Sequence, residues 1–181
     1  SNSNNRNALL FRDPTVDGLK TGHTAAAGYC LVATAKRDMP NVGSRRLLSI
    51  VLGTASENAR AGESQKLLNW GYTAFDAVKL FDAAQPVEEA RLWKGQKDAL
   101  KIGQVNPIVV TVPAGSAGKL TTQVVRKDPL VAPIAKGQNV GSLKVLLGAD
   151  TVAEVPVVAL EDVPEAGFFG RLWDAIRLWI M

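Results

Sequence analysis

Asp17-Gly18-Leu19-Lys20-Thr21-Gly22-His23-Thr24 stands between a turn-rich segment, residues 12–15, and an apolar run, residues 28–35. The apolar run has the length and composition of a β-strand. We therefore predict that the two segments pair as an antiparallel hairpin. The Lys-Thr-Gly tripeptide at residues 20–22 carries little information alone, because short patterns recur by chance. Its interpretation depends on the residues around it.

Three strand-like runs open the chain. They are Val16–Thr24, Gly28–Lys36 and Arg45–Leu52. Charge, proline and glycine between residues 36 and 44 are typical of a hairpin loop, so consecutive antiparallel pairing is the simplest arrangement. Apolar residues, including Leu67 and Trp70, then recur at helical spacing. This spacing predicts a helix over Ser56–Val78 with Glu63 and Ser64 facing outward.

The pattern changes after Lys79, because residues 80–165 show short β-rich runs separated by turn residues. The runs are Val87–Leu92, Leu100–Ile102, Ile108–Val112, Leu120–Val125, Gly141–Leu147 and Val152–Leu160. Their regular spacing predicts a small antiparallel β-sandwich as a second domain. Its charged residues are scattered and balanced, which is typical of a solvated surface and not of a catalytic cluster.

The last stretch, residues 166–181, has the pattern of an amphipathic helix. One face carries Phe168, Phe169, Leu172, Trp173, Ile176, Trp179 and Ile180, and the other carries Arg171, Asp174 and Arg177. The stretch is too short and too charged to span a bilayer, which needs about 20 apolar residues. Tryptophans and arginines suit the membrane interface, so we predict that the apolar face contacts an anionic membrane surface. Packing of that face on the sandwich, or on a second copy of the chain, is the alternative.

Composition excludes several classes of protein. The formal net charge of +4 is spread along 181 residues and forms no basic stripe, so we expect no nucleic-acid partner. A single cysteine, Cys30, and a single histidine exclude a Cys-rich metal site and disfavour zinc chemistry. We predict no metal and no cofactor. Cys30 lies inside an apolar run and is interpreted as a small buried hydrophobic residue.

Three segments together carry a family resemblance: Asn5–Leu10, Val16–Thr24 and Ala27–Tyr29. They closely resemble low-molecular-mass penicillin-binding proteins that act as serine-type D-alanyl-D-alanine carboxypeptidases, in which Lys-Thr-Gly is the third of three short motifs. The resemblance implies an α+β remnant of a penicillin-recognising domain, transpeptidase/β-lactamase-like in fold, over residues 1–78. An all-β sandwich domain would follow over residues 79–165, and a C-terminal amphipathic helix on the membrane surface over residues 166–181.

The resemblance also implies roles for five residues. Lys20 is the predicted catalytic residue, because its positive charge would lower the cost of moving protons and of binding an anionic substrate. Thr21 would donate a hydroxyl hydrogen bond to the substrate carboxylate, and Gly22 would let the substrate backbone lie against the strand. His23 resembles the position whose backbone N–H contributes to the oxyanion hole. Arg6 resembles an arginine whose planar guanidinium helps to hold the terminal carboxylate.

The implied function is removal of the terminal D-alanine from peptidoglycan stem peptides, with β-lactams as substrate mimics that acylate the serine. We expect the S-x-x-K nucleophile motif and the S-x-N motif to be missing, so this chain is predicted to be inactive alone. The expected location is the periplasm, on the outer face of the bacterial inner membrane. A truncated sheet would leave an open edge, which predicts self-association. The alternative is a non-catalytic, membrane-associated β-sandwich that binds partners.

Overall fold

A computed structural model describes residues 5–40 and 42–180, with the backbone alone for Phe169, Leu178 and Ile180. Within these ranges the chain divides into two compact units. Unit 1 comprises Ser1–Ala77 and Thr111–Gly115, and unit 2 comprises Val78–Val110 and Ser116–Met181.

Unit 1 is built on a three-stranded antiparallel sheet. Its strands are β1 (Val16–Thr24), β2 (Gly28–Met39) and β3 (Gly43–Thr54), and a short 3₁₀ helix, Ala8–Phe11, precedes them. The spatial order is β1-β2-β3. The three predicted runs and their antiparallel pairing are confirmed, and β2 and β3 extend further toward their shared hairpin than predicted. Within the described chain, β1 and β3 are the edge strands of this sheet.

One helix, α1 (Glu57–Ala74), packs against β2 and β3. Ser56 caps its N-terminus, because the Ser56 Oγ accepts a hydrogen bond of 3.1 Å from the Ala59 N–H. The buried residues of the helix recur at helical spacing: Arg60, Ala61, Ser64, Leu68 and Tyr72. Ala61, Leu68 and Tyr72 join Leu31, Ala33 and Ala35 of β2 in the core of unit 1.

The prediction that Ser64 faces outward is wrong. Ser64 is fully buried, whereas the bulkier Leu67 and Trp70 are exposed. Ser64 lies at helical spacing between the buried Ala61 and Leu68, so it is on the side of α1 that packs against the sheet.

The predicted helix end at Val78 is also wrong. α1 ends at Ala74, and β4 (Phe75–Phe81) begins at once, with Phe75 in extended conformation at φ −134° and ψ 133°. β4 pairs with β7 (Ile108–Pro113) in a two-stranded sheet. Pairing with a strand distant in the sequence is a tertiary interaction that overrides the local helical spacing.

Unit 2 is β-rich, as predicted. Its further strands are β5 (Pro86–Trp93), β6 (Ala99–Gly103), β8 (Leu120–Arg126), β9 (Leu130–Val131), β10 (Asn139–Leu147) and β11 (Asp150–Ala159). These strands form a sheet in the order β8-β10-β11-β6-β5-β9. All six predicted runs are strands, while β4 and the two-residue β9 were not predicted. The β5–β9 pair is parallel, which corrects the prediction of purely antiparallel pairing.

A second helix, α2 (Phe168–Ile180), belongs to unit 2. Its Asp174 carboxylate accepts a hydrogen bond of 2.6 Å from the Lys94 backbone N–H, and Arg171 forms an ion pair of 2.6 Å with Glu165. Five of its predicted membrane-contact side chains are exposed: Phe168, Leu172, Trp173, Ile176 and Trp179. The other two, those of Phe169 and Ile180, lie outside the described set. Between residues 5 and 180 no described helix has the length and hydropathy needed to cross a membrane.

Candidate active site

The register of β1 against β2 separates the predicted site residues onto two faces of the sheet. Thr21 lies opposite Leu31, whereas Lys20 lies opposite Val32. Directly opposed residues of an antiparallel pair share one face. Thr21 is therefore on the face that α1 covers, because Leu31 belongs to the core under α1. Lys20 is on the opposite face.

Four of the five predicted residues line one cavity of about 260 Å³. They are Arg6, Thr21, Gly22 and His23, and the cavity also contacts Tyr29, Glu57 and Arg60. The cavity thus lies between the C-terminal half of β1 and the first turn of α1. Lys20 does not line it.

Arg60 is the residue of this cavity that sequence reasoning missed. It is 3% exposed, and its guanidinium donates hydrogen bonds to the Gly22 carbonyl at 3.3 Å and the Arg6 carbonyl at 2.9 Å. A third hydrogen bond, of 3.1 Å, runs to the Glu57 carboxylate. Arg60 therefore ties the motif strand and the N-terminal segment to α1. The available signal was Glu57 and Arg60 at i, i+3 spacing directly after the Ser56 cap.

His23 and Lys20 make different local contacts. The His23 ring stacks on Tyr29, with ring centroids 4.0 Å apart and the ring planes at 29°. This contact holds the His23 ring beside Tyr29, on the face of the sheet that α1 covers. The Lys20 ammonium donates a hydrogen bond of 2.8 Å to the Thr21 carbonyl and stays exposed to solvent.

An ion pair crosses the open face beside Lys20. Arg46 of β3 donates two hydrogen bonds to the Asp17 carboxylate, at 2.6 and 2.7 Å, and the Thr34 hydroxyl of β2 donates a third at 2.6 Å. The hydrogen bonds from Arg46, and then from Thr34, hold the pKa of Asp17 well below its usual range. Asp17 thus links the start of the motif strand to both other strands of the sheet.

The expectation that the S-x-x-K pattern is missing from the chain is wrong, because the sequence contains one match. Ser116-Ala117-Gly118-Lys119 matches it and forms a 3₁₀ turn in unit 2. Lys119 is exposed there, and no hydrogen bond joins its ammonium to the Ser116 hydroxyl within the part of the chain that the structure describes. An activated serine needs a base within hydrogen-bond reach, so this turn does not have that geometry. Ser56-Glu57-Asn58 likewise matches S-x-N, but the Ser56 hydroxyl caps α1.

Cys30, opposite Gly22 in the register, is half-buried and not buried as predicted. It belongs to the open face, where no helix covers the sheet.

Two family models match the chain. The model of the penicillin-binding protein 5 C-terminal domain matches residues 75–165, and the D-alanyl-D-alanine carboxypeptidase model matches residues 1–56. The first match covers unit 2 up to the segment before α2, and the second ends at the Ser56 cap.

Curated relatives extend the likeness along the chain. D-alanyl-D-alanine carboxypeptidase DacA of Haemophilus influenzae is 37% identical over 178 residues, which is 97% of this chain and 44% of the relative. D-alanyl-D-alanine carboxypeptidase DacC of Escherichia coli is 39% identical over 176 residues, 96% of this chain and 43% of the relative. The chain therefore spans less than half the length of the curated relatives it matches.

Solved structures have the same fold. Penicillin-binding protein 5 from Haemophilus influenzae aligns with a TM-score of 0.77 at 36% identity, over 89% of this chain and 46% of that one. D-alanyl-D-alanine carboxypeptidase DacD from Francisella tularensis aligns with a TM-score of 0.60 at 40% identity, over 91% and 40%.

The two family models together place the chain in the class of penicillin-binding proteins. Within that class, the chain belongs to the family of D-alanyl-D-alanine carboxypeptidases that includes penicillin-binding protein 5.

Proposed function

We propose that this chain is the C-terminal portion of a serine-type D-alanyl-D-alanine carboxypeptidase that trims peptidoglycan stem peptides and binds β-lactams. The convergence of Arg6, Thr21, Gly22 and His23 on one cavity beside the motif strand carries the proposal. The family match and the names of the relatives support the reaction class.

The cavity has donors suited to a terminal carboxylate. Arg60 donates hydrogen bonds to Gly22, Arg6 and Glu57, so we assign it the role of positioning β1 and not of binding the substrate. The Arg6 guanidinium and the Thr21 hydroxyl would bind the substrate carboxylate, since an arginine fork and a hydroxyl are strong donors to it. A missing side chain at Gly22 would let the peptide backbone lie along the edge of β1.

The covalent step needs a serine beside Lys20. Ser44 is on the same face, but it lies opposite Asp38, six residues along β2 from the Val32 that faces Lys20, so it is about 20 Å away along the strand. Lys20 shares that face with Val32 and with Ile50, which lies opposite Val32. Leu48 and Ile50 are each 56% exposed there. We infer that this apolar face receives the portion of a longer protein that bears the nucleophile. Lys20 would then provide the positive charge beside that serine, with the substrate at the free edge of β1, between the face of Thr21 and the face of Lys20. This chain alone would be inactive.

α2 supports a peripheral location on a membrane. Its Asp174 faces unit 2, while Trp179 is 88% exposed and Phe168, Leu172 and Trp173 are also exposed. An exposed apolar face next to a charged face is the geometry of a helix that lies in the membrane interface. We propose attachment to the outer face of the bacterial inner membrane, with unit 1 in the periplasm.

Covalent labelling and peptide binding test the two halves of the proposal. The chain is incubated with a fluorescent penicillin, and we expect no covalent label on a denaturing gel. An acetylated peptide that ends in D-alanyl-D-alanine is then titrated by calorimetry. Thr21→Val removes the hydroxyl at nearly constant shape and should weaken binding about tenfold, as loss of one hydrogen bond to a charged group predicts.

Thr111→Val, in the same unit but outside this cavity, is the control and should leave the affinity unchanged. A covalent label would show that the chain holds its own activated serine. Equal affinities for the parent chain and Thr21→Val would contradict the assigned binding site and favour a non-catalytic β-sandwich module.

A further inference from the structure

Unit 2 holds a cavity of about 490 Å³ that the proposed carboxypeptidase function does not use. Residues of β8, β9 and β10 line it, together with the connections between β8 and β9 and between β9 and β10. β8 and β9 are the two ends of the six-stranded order and are not neighbours in it. The cavity, here called the seam cavity, therefore lies where the two ends of the sheet approach without pairing. Its volume is within the range of small-ligand sites, about 300–1,000 Å³.

The floor of the seam cavity is apolar. Leu130, Ile134 and Val140 line it, and all three belong to the buried core of unit 2. The apolar surface that a ligand could cover belongs to Val125 and Val131, which also line the cavity and are 41% and 39% exposed. Burial of that surface stabilises a complex by about 25 cal/mol for each Å² removed from water.

Gly141 makes one wall of the cavity possible. It lies opposite Arg126, and a Cβ atom at this position would be 2.4 Å from the Val125 carbonyl oxygen and 2.9 Å from the Arg126 Cβ. Those distances are shorter than van der Waals contact, so only glycine permits β8 and β10 to approach this closely. The wall is thus a built feature of the two strands.

Two amide side chains at the cavity use their oxygens, and not their NH₂ groups, in hydrogen bonds to the backbone. The Asn139 Oδ1 accepts from the Gly141 N–H at 3.1 Å, and the Gln138 Oε1 accepts from the Ala135 N–H at 3.2 Å. Each oxygen is therefore committed to the backbone, and each NH₂ group remains. Ser142 donates to Glu154 at 2.6 Å, so its oxygen can still accept one hydrogen bond.

The charges at the cavity leave one cation uncompensated. Arg126 is paired with Glu88 and with Asp128, the latter at 2.9 Å. Lys127 lines the cavity, is exposed, and forms no ion pair within the described ranges. The uncompensated positive charge of Lys127 suits a monoanion such as a carboxylate. The NH₂ groups of Asn139 and Gln138 can donate hydrogen bonds to the carboxylate oxygens and to a neighbouring carbonyl.

We propose that the seam cavity binds the C-terminal end of a short peptide. The free carboxylate lies against Lys127 and Asn139, an apolar side chain rests on Val125 and Val131, and Ser142 accepts a peptide N–H. This binding is independent of the proposed carboxypeptidase function, because the cavity lies wholly in unit 2 and the Lys-Thr-Gly strand lies wholly in unit 1.

Nuclear magnetic resonance of the ¹⁵N-labelled full chain tests the proposal. The probe is the dipeptide N-acetylalanylleucine, used as the free acid and as the C-terminal amide. We expect the free acid to shift the backbone signals of Lys127, Asn139 and Ser142 with a dissociation constant on the order of 1 mM. The amide should bind about tenfold more weakly, because it lacks the charge-assisted hydrogen bonds.

Substitutions at three exposed residues distinguish binding in the seam cavity from nonspecific attraction between the peptide and a positive charge. Lys127→Gln should weaken binding of the acid about tenfold, and Asn139→Asp should remove the preference for acid over amide, since it replaces the donor by an anion. Lys119→Gln, the same charge change elsewhere in unit 2, should have no effect. Thermal unfolding checks that each variant folds.

Three results overturn the proposal: equal binding of acid and amide, absence of shifts up to the solubility limit of the probe, or equal weakening by Lys119→Gln and Lys127→Gln. Shifts confined to residues 21–24 would also overturn it, because they would assign the peptide to the cavity beside β1. None of these results bears on the penicillin labelling of unit 1, so failure of one proposal leaves the other intact.

Discussion

At the scale of single residues, the polar groups of unit 1 fall into two kinds. Asp17 is exposed and fully hydrogen-bonded by Arg46 and Thr34. Ser49 and Ser64 are buried, and their hydroxyls have no hydrogen-bond partner. The Asp17 ion pair makes the stability of unit 1 depend on pH. The two buried serines lower that stability, because burial removes their hydroxyls from water without a hydrogen bond in return.

The Asp17 pKa predicts acid sensitivity. Because the pKa is lowered from 3.8 in the folded chain, the stabilisation is present above 3.8 and is lost as the pH falls below it. Asp17→Asn should therefore flatten the fall in urea midpoint between about pH 5 and pH 2. Since the pair is exposed, the loss of stability at neutral pH should be small.

Arg46→Gln is the matched partner for this measurement. If the Asp17–Arg46 ion pair causes the acid sensitivity, the double variant should lose less stability than the sum of the losses in the two single variants. The difference is the coupling energy of the pair. An unchanged acid slope in Asp17→Asn would contradict the assignment.

The two serines of α1 predict opposite effects of one substitution. Ser64→Ala removes a buried hydroxyl without a partner and should raise the free energy of unfolding by about 1 kcal/mol. Ser56→Ala removes the cap hydrogen bond and should lower it by about 1 kcal/mol. Urea denaturation of both variants gives the comparison. Destabilisation by Ser64→Ala would mean that its hydroxyl has a partner after all.

At the scale of elements, one arginine of α1 organises the candidate site. Arg60 joins the helix to the carbonyls of Gly22 and Arg6, so the N-terminus of α1 sets the position of the motif strand. β1 is an edge strand and pairs with another strand on one side only. The buried Arg60 guanidinium adds a hydrogen bond that holds β1 on α1. The proposed binding residues therefore depend on a helix that none of them belongs to.

The exposed apolar face of α2 predicts membrane binding. Truncation of residues 169–181 should abolish co-sedimentation with anionic phosphatidylglycerol vesicles, and Trp179→Ser should weaken it about tenfold, since interfacial tryptophan contributes strongly to partition. Trp70→Ser, which alters an exposed tryptophan of unit 1, is the control and should have no effect. Unchanged sedimentation after truncation would contradict the membrane proposal and favour a protein partner for α2.

At the scale of the whole molecule, the dominant feature is that unit 1 covers one face of its sheet only. α1 packs on the face of Leu31, Ala33 and Ala35, whereas Leu48, Ile50 and Leu52 are exposed. A contiguous exposed apolar face marks an interaction surface. Under the proposed function, the portion of a longer protein that bears the nucleophile would occupy this face.

Without that portion, we expect the open face to drive self-association. Light scattering during gel filtration should show a mass that rises with protein concentration. Ile50→Thr keeps β-branching but removes apolar area, so it should shift the chain toward monomer. Val152→Thr, the same kind of change on an exposed position of β11, should not. A concentration-independent monomer would contradict the prediction.

The local pattern of residues was sufficient to predict most of the strands, one helix and the family of this protein. Alternation and turn chemistry predicted the three strands of the first sheet and six strands within residues 80–165, because those signals depend on neighbours in the sequence. The Lys-Thr-Gly strand with its flanking residues was sufficient for the family. Helical spacing also predicted α1, although not its buried face or its end.

Contacts between distant residues decided the rest. β7 pairs with β4, so residues 75–78 form a strand, and the packing of α1 on β2 and β3 buries Ser64. The register of β1 on β2 separates Lys20 from Thr21, and Arg60 joins the site through carbonyls of two other segments. The seam cavity exists because the ends of one sheet approach without pairing. Each of these depends on which surfaces pack together, and packing free energy belongs to pairs of residues far apart in the chain, so no local pattern contains it.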